Sequence, residues 1–359
     1  MNTSDRGVVA PNTVLVTGAS RFLGGNLVVR LAQNPAIERV IGVDVRQPSK
    51  ELVRRMGRAE FIRADIRNPL IGKIILGKHV DTVVHAATVP RAPKGGSRTA
   101  MKDLNVFGAM QLFGVCQKVP AVRKVVLLSS SAVYGASPRD PARFTEEMSA
   151  RRPPRGAFAV DTIEVEGFIR GLARRRPDIA TTILRLAPLI GPRINGAVSQ
   201  FFHAPVAPKI LGRDARLQLL HEEDALAALE LATTSGPAGT FNIAADGTLM
   251  LSQAIRRAGR IELLLPFPLF RTAGRLVMGP VMREFSDEQL EYFHFGVGLD
   301  TTRMRAELGF EPRWTTVQAF DDFVAAAGLK PVIRTEWIDS VEHKMLELIG
   351  AENTAGVKR

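Results

Sequence analysis

The feature that most constrains this chain is an apolar run that breaks directly into glycine. Val14-Leu-Val16 has the pattern of a short buried strand and passes into Thr17-Gly-Ala-Ser-Arg-Phe-Leu-Gly24-Gly25, where a helical pattern from Leu23 to Leu31 begins. A strand, a glycine-rich turn and a helix in that order aim backbone N–H groups and the positive end of the helix dipole at one point, which suits a phosphate. Gly18 permits the tight turn, and Gly24 lets the helix approach the sheet closely. Asp44 closes the next apolar run, Val40-Ile-Gly-Val43. A carboxylate there accepts hydrogen bonds from both hydroxyls of a ribose and repels a 2′-phosphate. The order of features therefore points to NAD as cofactor, and Arg46, two residues on, leaves NADP open.

Further apolar runs follow at Phe61–Asp65, Thr82–His85, Val125–Leu128 and Thr181–Leu184, with helical stretches between most of them. Apolar strands alternating with helices predict right-handed βαβ units and a sheet covered on both faces. The expected fold is α/β, a Rossmann-type doubly wound parallel sheet with a smaller C-terminal substrate lobe. Proline and glycine become frequent after about residue 190 (Pro192, Gly196, Pro205, Pro208, Gly212). The expected organisation is a loose N-terminus over 1–11 and a dinucleotide-binding domain over 12–190. A substrate lobe over 191–330 sends segments back to the main sheet, and a C-terminal helix and tail cover 331–359. In that last stretch Trp337, Val341, Met345 and Leu348 share one helical face.

Charge narrows the partners less than the motif does. Lys+Arg 48 against Asp+Glu 36 gives a net charge of +12, which favours anionic ligands without choosing among them. The basic residues are scattered and aromatics make up only 6%, so no stacking platform or nucleic-acid partner is expected. The single cysteine, Cys116, sits in an apolar helical run and excludes an internal disulfide framework. The most apolar stretch, Leu263 to Met282, is broken by Pro266, Pro268, Arg271 and Arg275 and is no membrane span. It reads as lobe core; a hydrophobic substrate or an acidic lipid surface is the alternative. With Asp5 and no apolar leader at the N-terminus, the expected location is cytoplasmic.

Several more segments carry a resemblance: Ala64-Asp65-Ile66, Val83-Val-His-Ala-Ala87, Asn105 in Leu-Asn-Val-Phe-Gly108, Ser129-Ser-Ser-Ala-Val-Tyr-Gly135, Ile183-Leu-Arg-Leu-Ala-Pro188, Leu220-His-Glu-Glu-Asp224 and Thr240-Phe-Asn-Ile243. From about Val14 to about Ala327 the chain resembles the extended short-chain dehydrogenases/reductases, the NAD-dependent epimerase/dehydratase family that includes sugar-nucleotide epimerases. The resemblance implies a cofactor held by Gly18, Ser20, Arg21, Phe22, Leu23, Gly24, Asp44, Asp65, Ile66, Ala86, Ala87, Asn105 and Pro188. It also implies a small-molecule substrate, such as a nucleotide sugar, and a homodimer.

Two departures from the family pattern matter. Members use a Ser, a Tyr and a Lys, the last two in a Tyr-x-x-x-Lys helix, to move a proton while hydride is exchanged. The Ser role falls on Ser130, but Phe158 stands at the Tyr position and Thr162 at the Lys position. The chain has only two tyrosines, Tyr134 and Tyr292, and no lysine between Lys124 and Lys209. Tyr134 belongs to the Val-Tyr-Gly turn and is expected to pack structurally. Arg21 replaces the family's middle glycine, either pairing with a pyrophosphate or obstructing it. Leu217, preceded by Arg216, stands where sugar-nucleotide members often carry an arginine. Asp161 and Glu164 read as solvent-facing helix residues, His85 and His221 as structural, and no metal-ligand spacing is present. Two readings remain open: an NAD-linked oxidoreductase or epimerase with a substitute acid/base, or a catalytically silent dinucleotide-sensing or scaffold protein.

Overall fold

The structure, a computed structural model, describes residues 10–90, 97–266, 285 and 287–332. In the first half, strands β1 (Thr13–Thr17), β2 (Arg39–Asp44), β3 (Glu60–Arg63), β4 (Thr82–His85), β5 (Lys124–Ser130) and β6 (Ala180–Leu186) alternate with helices. The helices are α1 (Phe22–Gln33), α2 (Lys50–Met56), α3 (Leu70–Gly77), α4 (Arg98–Lys102), α5 (Gly108–Lys118) and α6 (Ala157–Arg175). A single π-helical turn, Asp103–Phe107, joins α4 to α5. The later part adds β7 (Leu189–Ile190), α7 (Ala197–His203), β8 (Val206–Ile210), β9 (Arg216–Leu217), β10 (Leu220–His221) and α8 (Glu222–Thr234). It continues through β11 (Gly239–Ile243), β12 (Leu249–Met250), α9 (Leu251–Arg257), β13 (Ile261–Leu265), α10 (Asp287–Phe295), β14 (Gly296–Val297), α11 (Thr302–Ala306) and α12 (Thr316–Ala326).

Seven strands form one sheet in the order β11-β6-β5-β4-β1-β2-β3, and every pairing in it is parallel. The reason lies in the strands themselves: all five residues of β1, TVLVT, are buried, as a strand covered on both faces requires. Two apolar cores lie on the two faces. Leu15, Ile41, Val83 and Val125 point to one, against α3, α5 and α6; Val14, Val16, Val84 and Val126 point to the other, against α1 and α8. A third cluster, built around Phe201, Phe202 and Phe320, fills the C-terminal lobe.

The strands predicted from the sequence are all present, most with one to three extra residues. The run at Phe61–Asp65 is shorter than expected, since β3 ends at Arg63. The seventh strand, β11, comes from the C-terminal half and pairs with β6, so the sheet is completed by a returning segment. Cys116 is buried. The stripe of Trp337, Val341, Met345 and Leu348, the N-terminal residues 1–9, and residues 267–282 of the apolar stretch lie outside the described residues. Among the described residues no helix is long and apolar enough to cross a membrane.

Candidate functional site

The chain runs outward from β1 through β2 to β3, then crosses back over β1 and continues outward from β4. The carboxyl ends of β1 and β4 therefore frame the crevice at which the strand order reverses, where open α/β sheets bind ligands. Glycine is required at this point by contact as well as by conformation. Gly18 has φ of +75°, and a Cβ on it would lie 2.6 Å from the Ala86 carbonyl oxygen and 2.9 Å from Ala87 Cα. A Cβ on Gly24 would lie 2.4 Å from the Gly18 carbonyl oxygen. The two strand ends are also tied by side chains: the Thr17 hydroxyl accepts from the Ala86 N–H (3.2 Å) and meets His85 Nδ1 at 2.8 Å. Burial disfavours the charged imidazolium, so His85 is held neutral.

Asp44 ends β2 and is buried beneath the turn. Its Oδ2 accepts from the Ser20 N–H (3.2 Å) and its Oδ1 from the Arg46 N–H (3.1 Å), so the carboxylate braces the glycine turn. Arg21 is the N-cap of α1 and supplies no side-chain cap, and the first turn holds no acidic residue. That helix end is free to face an anion. Phe22 and Leu23, half-buried, open the helix; the Arg193 guanidinium sits over the Phe22 ring at 5.4 Å. Arg21, Arg46 and Arg67 line a cavity of about 460 Å³ that is roofed from the other lobe by Asn195, Gly196 and Gln200. Arg21 Nε is buried without a hydrogen-bond partner. An orphaned cationic donor beside a bare helix N-terminus fits a diphosphate.

The Asp65 carboxylate, one of the residues the resemblance assigns to the cofactor, is gripped by Arg67 through Nε (2.9 and 3.0 Å) and Nη2 (2.5 Å). This pairing holds the Asp65 carboxyl below the usual carboxylate range. Ile66 packs under α5, where a Cβ on Gly108 would lie 2.8 Å from its Cδ1. Asn105, in the π-helical turn, is 1% exposed and clamps the loop after β4. Its Oδ1 accepts from the Val89 N–H (2.8 Å), and its Nδ2 donates to the Val89 carbonyl (3.0 Å) and to Asp161 Oδ2 (3.1 Å). Asp161 was expected to face solvent and does not. It is 1% exposed, and Arg98 donates to both its oxygens at 2.8 and 2.5 Å. The reason is that the buried face of α6 carries Ala159, Asp161, Thr162, Val165 and Glu166, so polar residues standing on it are buried with partners. Glu164, as expected, is half-exposed and pairs with Lys102 at 3.2 Å.

A second cavity, of about 360 Å³, brings Leu23, Ser130, Phe158 and Pro188 together beneath α7 and α10. Most of its wall is apolar, and Ser129, Ser130, Thr88 and Asn195 are among its few polar members. The Ser130 hydroxyl accepts from the Ala132 N–H (3.2 Å), capping the helical turn Ser131–Tyr134. Thr162 is 3% exposed, and its hydroxyl donates to the Phe158 carbonyl one turn back (2.7 Å). Phe158 and Thr162 therefore offer neither an acidic proton nor a charge. Tyr134 does not stand in for them: its hydroxyl donates to Asn242 Oδ1 (2.8 Å) and accepts from Arg185 (2.7 Å), and its ring stacks on Phe144. Burial, against the pull of Arg185, raises the Tyr134 pKa. His221 caps α8, accepting from the Glu223 N–H, and stacks on Trp314, a structural placement.

Residues 14–259 match the NAD dependent epimerase/dehydratase family. The chain belongs to that family. An uncharacterised protein of Mycobacterium tuberculosis is 57% identical over 338 residues, covering 94% of this chain and 90% of its own length. Among solved structures, UDP-glucuronic acid 4-epimerase from Bacillus cereus in complex with NAD is similar, with a TM-score of 0.65 at 18% identity over 88% of this chain and 98% of that one. UDP-glucose 4-epimerase from Thermotoga maritima with UDP-glucose gives 0.66 at 19% identity, over the same shares of the two chains, 88% and 98%.

In this epimerase/dehydratase-family protein, three groups at the site escaped sequence reasoning: the Arg98–Asp161 pair, the Glu166–Arg185 pair under Ser129, and the lobe residues Asn195, Gln289 and Glu291 that line the cavities. Polar residues standing on the apolar stripe of α6 were the one signal for the first two. The neutral His85 gives the family member a testable acid sensitivity. Burial lowers its pKa from 6.5 to about 4, so its stabilising contribution is full above pH 6.5 and is lost as pH falls towards 4. That interval corresponds to roughly 3 kcal/mol. Urea unfolding at stepped pH should show this loss, and His85→Gln should flatten it; an unchanged slope in the variant would assign the acid sensitivity elsewhere.

Proposed function

We propose that this chain binds a nicotinamide dinucleotide in the crevice between β1 and β4 but does not itself complete proton-coupled hydride transfer at a substrate hydroxyl. The dinucleotide reading is supported by the glycine contacts at Gly18 and Gly24, the uncapped start of α1, the orphaned Arg21 Nε and the NAD-bound neighbours. Backbone N–H groups of the first α1 turn and Arg21 would hold the diphosphate, and Asp44 the adenosine ribose. Leu23, Ser130 and Pro188 would flank the nicotinamide end. When bound, the cofactor supplies a hydride donor or acceptor.

The observation that carries the silent reading is the pairing of Phe158 with Thr162. Oxidising a hydroxyl releases a proton as well as a hydride, and a positioned acid/base group typically contributes about 10²–10⁴-fold to that step. Here the cavity carries a phenyl ring at the Tyr position, and Thr162 is bonded to its own helix. Ser130 alone can orient an oxygen but is too weak a base to take its proton. The ligand of the apolar cavity is a small molecule, and the protein acts as a dinucleotide-dependent sensor or scaffold for it.

Calorimetry with NAD and NADH is expected to show binding below millimolar concentration, while UDP-glucose and UDP-glucuronic acid give no change in reduced-nicotinamide absorbance above background. Absence of any dinucleotide affinity would sink the first half of this reading, and sustained turnover the second. One observation favours a second reading: Glu291, from α10, lines the same cavity and could exchange a proton from the opposite wall. Turnover by the unmodified protein that disappears in Glu291→Gln would establish it.

A further inference from the structure

The cavity of about 360 Å³ beneath α7 and α10 is walled mainly by carbon, with Leu23, Leu128, Phe158, Leu186, Leu189 and Val198 among its members. Its size lies near the lower end for small-molecule pockets. Among the described residues, no arginine, lysine or histidine lines it, and Glu291 does. An anionic group seated inside would meet a carboxylate and no counter-charge, so the part of a ligand that enters is not an anion.

Several of the hydroxyl groups at this wall are spent on the protein. Ser129 donates to Glu166 (2.6 Å), and Tyr292 donates to the Gln218 carbonyl (3.1 Å). Ser130 differs. Half-buried, it accepts from the Ala132 N–H (3.2 Å), while among the described residues its own proton has no acceptor. A sugar ring carries a hydroxyl on almost every carbon, and each one buried here without a partner weakens binding by about tenfold. A hydrocarbon ring carries no such penalty and removes apolar surface from water on both sides of the contact. The wall thus favours a carbon skeleton with one oxygen placed to accept from Ser130.

We infer that the ligand of this cavity is an apolar ring compound with one carbonyl or hydroxyl oxygen seated at Ser130, and not a sugar. The inference rests on the reading above of the cavity as a small-molecule site beside the dinucleotide, and adds the chemical class of that molecule. It departs from the nucleotide sugars named for the similar solved structures, because their names do not bear on this wall.

The test is a ligand-observed NMR titration of the full chain, with and without saturating NAD. The probes are 2-tetralone, its deoxy analogue tetralin, methyl β-glucoside and UDP-glucose. The expected result is a Kd of about 1 mM or tighter for 2-tetralone, retained with NAD present, and binding at least about tenfold weaker for both sugars. Ser130→Ala should weaken 2-tetralone by about tenfold and tetralin by less than about threefold, a difference that a merely structural loss of the Ser130 cap would not produce. Ala136→Phe, at a half-buried position lining the cavity, should abolish binding of both bicyclic probes, with thermal melting to verify the fold. Either sugar binding more tightly than 2-tetralone overturns the inference, as does failure of both bicyclic probes to bind. Expulsion of 2-tetralone by NAD, or binding indifferent to Ala136→Phe, also overturns it by placing the probe elsewhere. Titration with NAD alone separates the two readings: if NAD does not bind while 2-tetralone does, the dinucleotide reading fails and the ligand class stands.

Discussion

Arg185→Met is expected to cost about 3–5 kcal/mol of folding free energy, the largest stability effect of any single substitution argued for this chain. Arg185 is buried in β6 and donates to Glu166 through Nε (2.9 Å) and Nη2 (2.7 Å), to the Tyr134 hydroxyl (2.7 Å) and to the Glu146 carbonyl (3.0 Å). Its guanidinium also lies 4.9 Å from the Tyr134 ring centroid. Burial would raise the Glu166 pKa, but Arg185, Ser129 and Arg170 together hold it below the ordinary carboxylate range. Removing the arginine leaves a carboxylate that is 1% exposed without its main counter-charge. Urea unfolding at neutral pH measures the loss. Arg185→Met combined with Glu166→Leu should recover much of it, because a buried pair replaced by apolar groups of similar volume is often neutral. A loss below about 1 kcal/mol in the single variant would show that Glu166 finds another partner or takes up a proton at little cost.

The second large effect is a gain. Phe158→Tyr with Thr162→Lys should introduce family-type turnover that the parent lacks, rising over the parent by about 10²–10⁴-fold where the cavity accepts the substrate. The two positions lie one helical turn apart on α6, and Phe158 lines the cavity with Ser130. A lysine at position 162 places a positive charge near a phenol at 158 and lowers its pKa towards neutrality. Thr162→Lys must enter a site that is 3% exposed, so circular dichroism and thermal melting should accompany the assay. Each single substitution is expected to give far less than the pair, since a phenol without the charge stays protonated and a charge without the phenol has nothing to activate. A folded, cofactor-binding double variant with no new activity on UDP-sugars or apolar ketones would place the missing chemistry elsewhere.

Much of this molecule was legible before any coordinates. The strand–turn–helix at Thr13–Gln33, the acidic end of β2 and the spacing of apolar runs defined a parallel sheet and its ligand-binding edge, because strand burial and the backbone needs of glycine are local properties. The loss of the Tyr-x-x-x-Lys pair was equally visible, since it depends only on residue identity. Partnerships were not. Nothing local in the sequence says that Asp161, one position before Thr162, turns inward to Arg98 and Asn105.

The sequence by itself determined which residue types stand at each turn of the chain: the glycines that permit the crevice, and the phenyl and hydroxyl groups that replace a proton-transfer pair. Only the tertiary structure decided where charge ends up. Arg21 and Arg46 face one cavity while Asp44 is turned into the backbone, and Glu166 is neutralised from a strand nineteen positions further along the chain. The physical reason is that glycine and strand preferences act within a few residues, whereas the energy of a buried charge is set by whichever partners the packing of distant elements brings to it.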